Sequence, residues 1–143
     1  MRRLFLAVGN PLRGDDGAAG RVLALLAPEQ GTCLRLHQLT PEVAAELEGI
    51  DEVFFMDADP GADSPRIERI GPGRPWLGDS HTGTPASIVH LARRLFGFRG
   101  DAYLCRIPAR DFSFGEQLSA AAESQAQAAA ALLRDFTATM AKK

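Results

Sequence analysis

Residues Arg3 to Val8, RLFLAV, set apolar positions side by side without alternation, and the run stops at Gly9. This predicts a strand buried on both faces of a sheet. EVFFMDAD, residues 52–59, repeats the design and runs into an acidic residue, Asp57. Between these two runs, CLRLHQL alternates Leu34 and Leu36 against Arg35 and His37, the pattern of a strand with one wetter side. A short strand is expected around RIERI, and a further one at AYLCRI. Helical spacing appears between the strands. Val22, Leu25 and Leu26 mark one face of a helix from Ala18 to Ala27, closed by Pro28. TPEVAAELEGI offers Thr40 as N-cap, Pro41 at the first helical position and a stripe of Val43, Leu47 and Ile50. Thr84 and Pro85 repeat that start for a helix whose Ile88, Leu91, Ala92 and Leu95 face inward until Gly97 ends it. A final helix opens at Ser119 and turns Ala129, Leu132, Leu133 and Phe136 to one side.

Strands alternating with helices over residues 1–143 predict one α/β domain. Its architecture is three-layer α/β/α, with a mostly parallel twisted sheet of the phosphorylase/hydrolase-like kind. In such a sheet the loops leaving the carboxyl ends of the strands converge on one crevice. Asp16 follows the first strand, Asp57 ends the central one, and His81 precedes the Thr84 helix, so all three stand on such loops. The stretch 71–84, GPGRPWLGDSHTGT, is long, aperiodic and rich in glycine and proline, as functional loops often are.

Composition narrows the function classes. Lys plus Arg number 16 against 18 Asp plus Glu, a net charge of −2 that supplies no bulk field for nucleic acid or anionic lipid. No apolar stretch approaches the span of a bilayer, and MRRLFLAVGN meets a polar turn too early for a signal sequence, so the cytoplasm is expected. Cys33 and Cys105 form no CxxC pair, and Cys105 reads as a buried strand residue.

GNPLRGDDGAAG places Asp15 and Asp16 inside a glycine-rich turn. A phosphate cradle works through backbone N–H groups and a positive helix end, and carboxylates oppose both. Gly14, Gly17 and Gly20 are three apart, matching neither GxGxxG nor GxxxxGK. The turn suits an anionic side chain offered to a cation; otherwise the two acids cap the following helix. Among the imidazoles, His90 falls roughly 200° round its helix from Ile88 and is expected at the surface. His37 has a strand position that can face water. His81, with no apolar periodicity around it, is the best candidate ligand. Asp59 reads as a turn residue and Trp76 as a loop anchor. Asp16, Asp57 and His81 together make a plausible three-ligand metal site.

GNPLRGDDG, HQLTPEVAAEL, VFFMDA, SHTGTPASIVHLA and DFSFGEQLS, taken in order, resemble the hydrogenase maturation proteases. These enzymes remove a C-terminal extension from the large subunit of nickel-iron hydrogenases. In that family an acidic residue in the first turn, an aspartate ending the central strand and a histidine in the later loop are assigned as nickel ligands. The matching positions here are Asp16, Asp57 and His81. The resemblance implies a catalytic role for the same three residues and a hydrogenase large-subunit precursor as partner. It also implies nickel that arrives already inserted in that precursor, with no tightly held metal of the enzyme's own. A monomer is expected. Ala19 stands where the family usually has glycine, and LSAAAESQ replaces a commoner proline-containing helix start.

Two rival readings remain at this point. A receiver-like phosphoacceptor module would use Asp15, Asp16 and Asp57 to hold magnesium, although CRIPAR lacks the lysine such a module needs after its last strand. A non-catalytic peptide-binding or chaperone relative would keep the crevice without cutting.

Overall fold

The computed structural model describes residues 1–71 and 83–141. Among these residues five strands form one sheet: β1 (Arg3–Val8), β2 (Thr32–Leu36), β3 (Glu52–Asp59), β4 (Arg66–Arg69) and β5 (Asp101–Pro108), in the order β2-β1-β3-β5-β4. β2, β1, β3 and β5 run parallel, and the short edge strand β4 is antiparallel to β5. The uninterrupted apolar runs are explained by burial on both sides. On one face Phe5, Phe54, Met56, Tyr103 and Cys105 pack under α1 (Ala18–Leu25) and α3 (Ala120–Ala141). On the other, Leu4, Leu6, Val53 and Phe55 pack under a 3-10 helix, Pro41–Leu47, and α2 (Pro85–Leu95). The predicted three-layer α/β architecture is therefore present. Phe5, Phe54 and Tyr103 stack across neighbouring strands with centroids 5.1 Å apart at each step, and Phe136 of α3 meets the last two edge-on.

Several helix expectations require correction. The segment after Thr40 winds as a 3-10 helix, and the Thr40 side chain makes no cap bond. Seven residues lie between Thr40 and the extended Glu48. A 3-10 helix rises about 2.0 Å per residue against 1.5 Å for an α-helix, which spreads so short a segment further over the sheet. Val43, Ala44 and Leu47 are buried by it. α1 ends at Leu25, two residues early, because Pro28 forces Ala27 into extended backbone and Leu26 is extended as well. Leu95 is 65% exposed; after the turn at Gly97 (φ +66°), Phe98 enters the core instead. His90 is half-buried rather than a plain surface residue.

Other expectations hold. Thr84 caps α2 in a reciprocal box with Ser87, and Ser119 Oγ accepts from the Ala122 N–H at the start of α3. Cys105 is buried. Among the described residues no helix is long and apolar enough to cross a membrane.

Candidate active site

The crevice begins where β1 ends. Gly9 has φ +153°, a region L side chains rarely enter, and a Cβ there would collide with the main-chain carbonyl of Asp16. Glycine thus lets the turn fold back onto its own strand. The Gly9 N–H donates to the Leu36 carbonyl at 2.9 Å, while the Asn10 N–H donates to Asp16 Oδ2 at 2.6 Å. Asp16 is half-buried, with its carboxylate pinned at the carboxyl end of β1.

β1 and β3 are in register with Val8 opposite Asp57, so the second carboxylate stands at the neighbouring strand end. By strand alternation Asp57 shares a face with Val53 and Phe55, the face covered by Pro41–Leu47 and α2. Its side chain reaches solvent, yet surrounding protein removes hydration from the carboxyl. That loss, the Asp16 charge and the Asp59 charge push its pKa up to about 6, against an Ala58 N–H and Arg106 that favour the anion. A carboxyl whose ionisation is opposed by a neighbouring carboxylate marks a place where a cation is favoured. Asp59 itself accepts from the Gly61 N–H and pairs with Arg106 at 3.2 Å, in keeping with a turn residue.

The adjacent acids have opposite fates. Asp15 is 1% exposed and points away from the crevice. Its carboxylate accepts from the N–H groups of Arg110 (3.0 Å), Asp111 (2.9 Å) and Ser119 (2.8 Å) and from the Ser119 hydroxyl (3.0 Å). Burial acts to raise its pKa, but these donors together overcome burial and hold it below 3.8. Gly14 and Gly115 extend the seam through bonds to Gly115 and Leu12 carbonyls, and the Asp15 N–H donates to Asp111. Neither acid caps α1, whose N-cap is Gly17 without a side-chain bond. Asp15 is the residue that sequence reasoning missed, and DFSFGEQLS, which contains three of its four donor groups, was the available signal.

His81 lies outside the described residues, as does Trp76. Gly83, two positions further on, donates its N–H to the Leu39 carbonyl at 2.7 Å, which ties the start of α2 to the end of the β2 connection. Among the described residues no group of three or more His, Cys, Asp and Glu side chains could hold a metal. Asp16 and Asp57 are thus the described pair. His37 is exposed just beyond β2 and lines a cleft of about 570 Å³ that runs from Asp16 between α1 and β2.

Compared with solved structures, the chain superposes along almost its whole length on a [NiFe] hydrogenase maturation protease, HybD from Thermococcus kodakarensis. The TM-score is 0.68 at 20% identity, covering 95% of this chain and 99% of that one. The fold is that of the hydrogenase maturation proteases. HybD from E. coli gives a TM-score of 0.66 at 20% identity over 95% and 94% of the two chains. The maturation protease HycI from Thermococcus kodakarensis KOD1 gives 0.64 at 25% identity over 94% and 90%. By sequence, no family model and no curated protein matches the chain. The resemblance read from five sequence segments thus agrees with the maturation-protease fold, a fold that sets Asp16 and Asp57 on adjoining strand ends.

Proposed function

We propose that this chain is an endopeptidase that removes the C-terminal extension of a nickel-loaded hydrogenase large-subunit precursor, reading the precursor's own nickel through Asp16, Asp57 and His81. The observation that carries the reading is Asp16 and Asp57 at neighbouring strand ends, with the Asp57 carboxyl raised to about 6 by lost hydration and its neighbour's charge. Two oxygens and an imidazole nitrogen make a weak, open donor set. Such a set is suited to an ion that another protein's cysteines already hold. The ion is substrate here, and it can polarise the scissile carbonyl or activate water. Asp57 exchanges a proton near pH 6, which suits transfer from water to the departing amine. The net charge of −2 and the cytoplasmic expectation agree with a protein partner rather than nucleic acid or membrane.

The withdrawal of Asp15 into the 110–119 seam favours this reading over the receiver-like one, which requires both first-turn acids at a magnesium site. Co-expression with a nickel-loaded precursor tests the proposal. Intact mass of the large subunit should fall in the presence of the wild-type chain. It should stay at full length with Asp16→Ala or His81→Ala, both still folded by circular dichroism. Full processing by either variant overturns the assignment, and a phosphoryl mass gain on Asp57 from a small phosphodonor would transfer the case to the receiver.

A further inference from the structure

The cleft beside Asp16 is built differently from the carboxylate pair. Its apolar lining on the α1 side comes from Ala7 of β1 and Ala24 of α1. Arg35 stands at its rim on β2, the edge strand among the described residues. Arg35 donates to the Gly20 carbonyl at 3.1 Å and has no carboxylate partner among the described residues. Arg21, by contrast, is closed off by a bond to Glu123 at 2.7 Å. Gly20 lies inside α1, where glycine costs about 1 kcal/mol relative to alanine. A Cβ at that position would stand 3.4 Å from Arg35 Nε, in van der Waals contact with it. The helix accepts a poor former at the point where the guanidinium lies across it.

We infer that this cleft seats the departing tail of the protein substrate. It would take an extended segment with an apolar side chain on Ala7 and Ala24 and an acidic side chain against Arg35. The inference rests on the peptidase reading for the identity of the segment. Asp57 faces the layer of Pro41–Leu47 and α2, the cleft lies on the α1 side, and Asp16 borders both. A substrate whose metal-bearing body occupies the Asp57 side therefore continues past Asp16 into the cleft. A guanidinium with no carboxylate partner among the described residues is a group that can select acidic side chains there.

Two probe peptides test this: acetyl-Ala-Val-Glu-Val-amide and its lysine counterpart, acetyl-Ala-Val-Lys-Val-amide, titrated into the 15N-labelled chain. The acidic peptide should move the amide signals of Gly20, Ala24, Arg35 and Leu36, and the lysine peptide should bind about tenfold more weakly. Arg35→Glu, at an exposed position, should reverse that preference. With the precursor as substrate, the same variant should raise KM about tenfold at little change in kcat. Absence of shifts with both peptides, equal binding of the two, or an unchanged KM overturns the assignment. Charge-selective binding by a wild-type chain that leaves the precursor uncut would instead sink the peptidase reading and keep the cleft.

Discussion

Asp15→Ala removes the acceptor for four hydrogen bonds without changing Asp16. A hydrogen bond to a charged group contributes about 1.5–3 kcal/mol, so a simple sum would exceed the stability of many domains. The sum overstates the loss, because removing the carboxylate also removes its desolvation cost and lets water reach some of the freed N–H groups. Breaking a buried charged network by deleting one partner costs roughly 3–5 kcal/mol, and the lower half of that range is the expected loss here. At about 2–4 °C per kcal/mol for a chain of this size, Tm should fall by roughly 10 °C. Urea titration followed by circular dichroism should show a lower midpoint at unchanged slope. Asp15→Asn should fall between, since it keeps one oxygen but turns an amide donor toward N–H donors. The sign of the pH dependence follows from the lowered pKa. The carboxylate's contribution is complete above 3.8 and is lost as pH falls through its lower folded value, so the gap between wild type and Asp15→Ala should narrow in that acid range. A loss below about 1 kcal/mol near neutral pH would refute the seam as a stabilising device.

Asp57 has the opposite sign: the folded chain holds its proton from 3.8 up to about 6, so stability declines as pH rises through that window. Asp57→Asn should raise Tm at pH 7 to 8 and lose that advantage near pH 4, while processing of the precursor stops; an advantage that persists at pH 4 would contradict the electrostatic cause. The wild-type profile of kcat/KM should show an acid limb near pH 6, which Asp16→Asn shifts downward in any residual activity by removing the neighbouring charge. Gly9→Ala should destabilise the fold and abolish processing together, since the added Cβ meets the Asp16 carbonyl at φ +153°; a stable, fully active variant would show that the turn has room to relax.

The strand order of chemistry was legible because it is local. Runs such as RLFLAV and EVFFMDAD announce doubly buried strands, and in a parallel sheet their ends must lie on one edge, which placed Asp16 beside Asp57. Winding was less legible. Val43, Leu47 and Ile50 share a face at 3.6 residues per turn, and the same spacing tolerates a short 3-10 segment, so periodicity could not distinguish them. Nothing local separates Asp15 from Asp16. Their difference is imposed by donors about a hundred positions away, in a segment whose path depends on the completed sheet. The cleft is likewise non-local, since it joins α1 and β2 from separate stretches of the chain.

The Asp15 seam also has a temporal side. A ribosome emits residues 9–17 long before residues 110–119, yet the first stretch is clasped by the second. A nascent chain therefore carries Asp16 on an unsecured turn until the 110–119 segment follows it. The latch that fastens that turn exists only once residues 110–119 have been made.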